Sequence, residues 1–294
     1  MTDNRRRSAI GIAASLVVGA LVALAGSRGS RSVGPIAVFA VCGFTAYAIN
    51  WAAFIPANRA KTEHYYDLTG SVTYLTVTAI ALALSGDLDA RAIIVGLMVG
   101  IWAVRLGSFL FRRVRRDGRD GRFDQIKTDP LQFFMAWTLQ GLWVLLTLAA
   151  ALAIITGTER QSIGWIAIVG IAVWVTGFGL ESVADRQKSA FKKSPENEGR
   201  FITSGLWAWS RHPNYFGEIV LWTGIAIMSV PVLSGWRWVA LISPVFVVLL
   251  LTRVSGIPLL EARADKRWGG DRAYEDYKRR TPVLVPRPPR KQAP

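Results

Sequence analysis

Residues 131–156 read LQFFMAWTLQGLWVLLTLAAALAIIT, and this stretch decides the fold. It holds no Asp, Glu, Lys or Arg. About 20 helical residues cross the ~30 Å of hydrocarbon in a bilayer, so this block is long enough to span. Working outward, seven more apolar blocks lie at 8–26, 35–55, 68–85, 91–111, 162–184, 215–232 and 236–257. They are too long for strands and lack the two-residue alternation of a membrane barrel. In lipid, a helix satisfies its own backbone polar groups. The expected fold class is therefore all-α, a polytopic helical membrane bundle of about seven or eight transmembrane helices with a basic cytoplasmic tail.

The net charge of +15 raises the question of nucleic acid, and its distribution answers it. With the N-terminus cytoplasmic and all eight blocks spanning, 29 of the 35 Lys and Arg fall on the cytoplasmic side. Arg28, Arg31, Arg91, Arg160 and Arg237 fall opposite, and Arg105 lies inside a block. This is the positive-inside asymmetry, and it orients the basic loops and C-terminus towards the cytoplasm. Anionic lipid headgroups account for the remaining charge, and no nucleic-acid motif accompanies it, so membrane lipids rather than nucleic acid are the expected partners.

Arg5-Arg6-Arg7 ahead of the apolar run Ile10–Ala25 has the form of a signal peptide, with Ala23-Leu24-Ala25 as a small-residue site. The segment is read as a retained first helix; topology tolerates both alternatives. Cys42 is the sole cysteine, which excludes an intramolecular disulfide and a cysteine zinc site. With only His64 and His212 beside it, no metal centre is expected. Three regions result: 1–34, a helix and short loop; 35–286, the transmembrane domain; and 287–294, a disordered, basic, Pro-rich tail. Within the second, Glu261–Arg280 is read as short cytoplasmic helices interrupted at Gly269-Gly270. Most of the twelve tryptophans fit an aromatic belt at the membrane boundary; Trp102 and Trp222 are also candidates for stacking a flat ring.

Between the blocks at 162–184 and 215–232 lies the polar cassette Asp185-Arg186-Gln187 … Lys192-Lys193 … Gly199-Arg200-Phe201 … Ser210-Arg211-His212-Pro213-Asn214-Tyr215-Phe216-Gly217-Glu218. Such groups are costly near hydrocarbon and by default mark a site. Lys192, Arg200 and Arg211, separated by loop, are able to converge on an anion, and arginine forks suit phosphate or carboxylate. Pro213 starts a helix at no cost, and Asn214 and Glu218, four apart, share its face. A second constellation, Glu63-His64-Tyr65-Tyr66-Asp67, stands at the mouth of the third block. A tyrosine beside a carboxylate is able to donate to a substrate carbonyl and relay a proton; an interfacial cap is the plainer alternative. Arg105 in the fourth block needs an anion or a watery cavity, or snorkels, and Arg116 lies beyond it in the most basic loop. There is no dinucleotide fingerprint, P-loop or nucleophile elbow.

Asn214-Tyr215-Phe216-Gly217-Glu218, with Asp185 and Arg200 upstream and Glu275-Asp276-Tyr277 … Pro286 downstream, resembles the steroid 5α-reductase family, most closely its bacterial branch. The resemblance covers most of 35–286. It implies NADPH held by loops and helix ends without a Rossmann fold, in an integral membrane protein of the bacterial inner membrane. By it, Asp185, Lys192, Arg200, Asn214 and Glu218 would contact the cofactor; the charge and placement read above add Arg105, Arg116, Arg211, His212 and Tyr215 as cofactor-binding candidates, and Asp67, Tyr66 and Glu63 as the catalytic ones. The substrate expected is a lipophilic small molecule from the bilayer, reduced at an activated C=C bond. The family's reductases use a glutamate near the start of a span and a tyrosine on the next; here Asp67 stands near the first place and Trp102, which cannot protonate an oxygen in that way, at the second. Arg211-His212-Pro213-Asn214-Tyr215, Glu261, Gly269-Gly270 and Tyr274-Glu275-Asp276-Tyr277 are also similar to the isoprenylcysteine carboxyl methyltransferases. That implies S-adenosylmethionine as the alternative cofactor. A third class, a membrane sensor or transport component, would bind neither.

Overall fold

The computed structural model describes residues 3–117 and 123–289, without the side chains of 113–117. Eight helices among the described residues are long and apolar enough to cross a membrane, so the chain is a polytopic helical integral membrane protein. It divides into two compact units, Met1–Ala167 with Ala226–Ser243, and Ile168–Ile225 with Pro244–Pro294.

The first unit contains α1 (Asp3–Ser27), a short antiparallel hairpin of β1 (Ser32–Val33) and β2 (Ile36–Ala37), α2 (Val38–Ala60), α3 (Tyr66–Leu84), α4 (Ala90–Asp117) and α5 (Pro130–Thr156). The uncharged stretch at 131–156 becomes its hub. α5 packs against α1, α2, α3 and α4, and buries an almost unbroken run from Leu142 to Thr156 rather than one stripe. Its start is set by Asp129, whose carboxylate accepts from the Leu131 and Gln132 amides, with Pro130 in the first helical position. α1 is fastened to this hub and to α2. Tyr47 Oη donates to the Ser15 carbonyl at 2.8 Å, and a Cβ on Gly26 would lie 2.5 Å from the Phe39 ring. Arginines close one end of the unit. Arg237 donates to the Ala153 carbonyl and Arg160 to those of Ile154 and Ile155, capping the last turn of α5. Arg91 donates to the Met228 carbonyl at 2.7 Å and to that of Ser162 at 2.8 Å.

The second unit is built on α6 (Trp165–Lys193) and α7 (Pro213–Ser229), which meet backbone to backbone. A Cβ on Gly177 would stand 2.4 Å from the Leu221 nitrogen, and one on Gly217 2.5 Å from that of Glu181. Small residues allow this approach in lipid, where packing rather than apolar burial drives association. α8 (Ile242–Leu249), α9 (Ile257–Trp268) and α10 (Arg272–Arg280) follow. Gly270, at φ +87°, makes the break between α9 and α10 that the sequence predicts.

Two boundaries differ from the apolar blocks. α6 continues to Lys193 instead of stopping at 184, because the loop beyond it packs back on the extension. Trp207 Nε1 donates to the Ala184 carbonyl at 3.0 Å and the Leu206 amide to Gln187 Oε1 at 2.9 Å. Lys192 is therefore helical, not a loop residue. The eighth span is also not one α-helix: a 3₁₀ segment (Gly235–Leu241) precedes α8 and a π-helical turn (Leu250–Val254) follows it. Pro244 lacks the amide that a helix continuing from the 3₁₀ segment would bond, so regular α geometry restarts at Ile242.

Candidate functional site

The cassette lies wholly in the second unit. α6 carries Glu181 and Asp185, one turn apart and both buried. α7 starts at Pro213, as predicted, so Asn214 stands in its first turn, and Asn214 Nδ2 donates to Asp185 Oδ1 at 3.2 Å. Two residues 29 apart in sequence are thus joined across the α6–α7 contact.

The turn before α7 is held by a single carboxylate. Arg211 Nη1 donates to Glu261 Oε2 at 2.5 Å, and His212 Nε2 bonds Glu261 Oε1 at 2.7 Å. The His212 ring also stacks on Tyr215, with centroids 5.6 Å apart. His212 is buried, and its Nδ1 has no hydrogen-bond partner among the described residues. Burial lowers its pKa below the ordinary histidine value, against the pull of Glu261. In the neutral ring, Nε2–H donates to Glu261 and Nδ1 presents a lone pair. The C-terminal segment braces the same turn. The Arg211 amide donates to the Pro282 carbonyl at 2.9 Å, Ser210 Oγ to that of Leu284 at 2.8 Å, and the Arg287 amide to that of Trp209 at 2.9 Å.

One turn beyond Glu261, Asp265 accepts from Tyr274 Oη at 2.9 Å and from Lys278 Nζ at 2.7 Å. Burial, with Asp265 adding to it, raises the Tyr274 pKa, and the bond to Asp265 raises that of Lys278. α9 thus ties the Arg211-His212 turn to α10. The loop that carries Arg200 is fastened to the same helices. Trp268 Nε1 donates to the Gly199 carbonyl at 2.6 Å, and Phe201 packs edge-on to Trp268 and Tyr274. Arg200 and Lys192 are exposed, and Glu218 and Tyr215 are half-buried on the first turns of α7.

The remaining candidates lie in the first unit. Glu63 is buried and paired with Lys127 Nζ at 2.7 Å. Tyr66 opens α3; its hydroxyl donates to the Ala136 carbonyl at 2.9 Å and its ring packs on Phe123 and Trp137. Asp67 follows in the first turn of α3, half-buried. Trp102 is buried edge-on to Tyr74, 5.0 Å between centroids, and Arg105 is half-buried one turn further along α4. The side chain of Arg116 lies outside the described residues. Among the described residues no three His, Cys, Asp or Glu side chains group as a metal site.

Sequence reasoning missed three of these residues. Glu181 passed as part of an apolar block, although an acid inside a span is itself a signal. Lys127 was counted only as topology charge. Glu261 entered only through the methyltransferase resemblance, since a contact across 50 residues leaves no mark in local spacing.

The membrane bundle with this cassette belongs to the family described as "Protein of unknown function (DUF1295)", which matches residues 53–281. The chain is 29% identical over 122 residues to "Steroid 5-alpha-reductase DET2" of Gossypium hirsutum, covering 42% of each chain. It is 31% identical over 98 residues to "Probable O-methyltransferase ustE" of Ustilaginoidea virens, covering 33% of this chain and 34% of that one. It is 27% identical over 120 residues to "3-oxo-5-alpha-steroid 4-dehydrogenase 1" of Rattus norvegicus, covering 40% of each. The matches span about two fifths of the length of the reductases. No solved structure matches.

Proposed function

We propose that the protein is an integral membrane reductase that uses NADPH to reduce a C=C bond in a lipophilic, steroid- or isoprenoid-like substrate. The observation that carries this reading is the Asn214–Asp185 bond, which joins two of the residues matching the reductase pattern at the head of α7. Similarity to two proteins named as steroid reductases or dehydrogenases supports it.

The donor set fits a polyanionic dinucleotide. Lys192 and Arg200 are exposed cations at the end of α6 and in the loop after it, suited to phosphates. His212 Nδ1 is an orphaned, buried acceptor suited to a hydroxyl or amide N–H. Asn214 and Glu218 would orient a carboxamide, and Arg211 and His212, already bonded to Glu261, would act from fixed positions. NADPH supplies a hydride when bound. In the first unit, Asp67 is assigned the polarisation of the substrate oxygen, since the Tyr66 hydroxyl is already given to the Ala136 carbonyl, and buried Glu63 with Lys127 supports that end of α3. The chain lies in the bacterial inner membrane with its basic loops and C-terminus cytoplasmic.

A specific observation favours a second reading, an S-adenosylmethionine-dependent methyltransferase. Arg211, His212 and Glu261, which carry the methyltransferase resemblance, are bonded to one another, and one similar protein is named as a probable O-methyltransferase. Melting of the detergent-solubilised protein with NADPH, NADH or S-adenosylmethionine decides between them, because a ligand that binds the native state raises its midpoint. The reductase reading expects the largest rise with NADPH. A rise with S-adenosylmethionine alone overturns it.

A further inference from the structure

The first unit holds a pair of buried amides that nothing above employs. Asn50 on α2 is fully buried, and Gln140 on α5 is buried against α3. The orientation of each is fixed by what its nitrogen bonds. Asn50 Nδ2 donates to the Ala46 carbonyl at 2.8 Å and to Thr73 Oγ1 at 3.4 Å. The Thr73 hydroxyl proton is already given to the Thr69 carbonyl, so this oxygen accepts. Gln140 Nε2 donates to the Tyr66 carbonyl at 3.0 Å. A flipped amide would turn oxygen on oxygen, so Asn50 Oδ1 and Gln140 Oε1 are the remaining atoms. Both are buried, and neither has a hydrogen-bond partner among the described residues.

Both amides pack against α3. Asn50 meets α3 at Thr73, and Gln140 meets it at Gly70, three residues earlier on the same face. Gly70 makes the room: a Cβ there would lie 2.6 Å from Gln140 Nε2. One turn along α5 from Gln140, Trp137 is fully buried with its indole N–H likewise unpartnered. Two orphaned acceptors and a nearby orphaned donor, inside helices that face hydrocarbon, are costly unless something completes them.

We propose that Asn50 and Gln140 form a binding site for the hydroxyl end of a lipophilic ligand. A hydroxyl gives its proton to one of the amide oxygens and can accept from Trp137; a ketone has no proton to give and leaves both acceptors bare. The site therefore selects an alcohol over the matching ketone. It takes from the proposed function only that a lipophilic ligand enters the bundle; the selection itself is independent of the cofactor.

The probes are cholestanol and cholestanone, titrated into the detergent-solubilised full-length chain with thermal midpoint and tryptophan quenching as readouts. The alcohol is expected to bind at least tenfold tighter, the worth of one hydrogen bond of about 1.4 kcal/mol. Asn50→Leu and the near-isosteric Gln140→Met are expected each to reduce that ratio to within about threefold, with the NADPH-induced shift unchanged. Equal binding of alcohol and ketone by the wild-type chain, as when water alone fills the site, overturns the proposal. A preference that survives in both variants does the same. If NADPH shifts no variant while the alcohol preference holds and is lost on substitution, the reductase reading fails and this site stands.

Discussion

Replacing Glu261 with alanine tests the brace at the head of α7. The Glu261 side chain is 23% exposed, that of Arg211 13% and that of His212 6%. The substitution strands two largely buried donors that now share one carboxylate. Hydrogen bonds to charged groups contribute about 1.5–3 kcal/mol each, and partial exposure of the carboxylate lowers their sum to roughly 3 kcal/mol. For a unit of about a hundred residues this corresponds to a fall of about 14 °C in melting midpoint. Glu261→Gln keeps an acceptor for Arg211 but loses the charge, and is expected to fall by about half as much. Intrinsic fluorescence follows the transition in detergent, since Trp207, Trp209 and Trp268 surround the turn. An alanine variant that melts within ~2 °C of wild type refutes the brace.

Burial depresses the His212 pKa, so the unfolded chain binds the proton more readily. The stability this contributes is full above about pH 6.5 and is lost as pH falls towards the folded value; midpoints at a series of pH values should show the drop, and His212→Gln should flatten it. Gly177→Leu drives a side chain into the α7 backbone at Leu221, and is expected to abolish a monodisperse size-exclusion peak. Lys127→Met removes a cation paired with the buried Glu63 and is expected to lower the melting midpoint, and the added change Glu63→Gln should recover part of the loss in the same assay.

The membrane class and the eight spans were legible because each apolar block carries its own signal, independent of its neighbours. So were the start of α7 at Pro213 and the break at Gly269-Gly270, where backbone chemistry is local. The extension of α6 was not, because residues 185–193 are polar and are held helical by a loop twenty residues on. At the site, the sequence supplied Asp185, Arg211, His212 and Asn214 as types but not their pairing. Arg211 read as a cation awaiting an anion; in the fold it and His212 both bond Glu261, and burial lowers the His212 pKa. The orphaned amides Asn50 and Gln140 were invisible for the opposite reason. A polar residue in an apolar block shows its cost in sequence, but which of its atoms is left without a partner depends on three helices at once.

Titration of NADPH into the purified protein, followed by the cofactor's own fluorescence, tests the central claim that the cassette around α6 and α7 grips a phosphate-bearing hydride carrier. The account predicts saturable binding that Arg200→Ala weakens about 10- to 100-fold, the worth of one charged hydrogen bond. Binding that Arg200→Ala leaves untouched, or no NADPH binding in a protein that takes up S-adenosylmethionine, contradicts it.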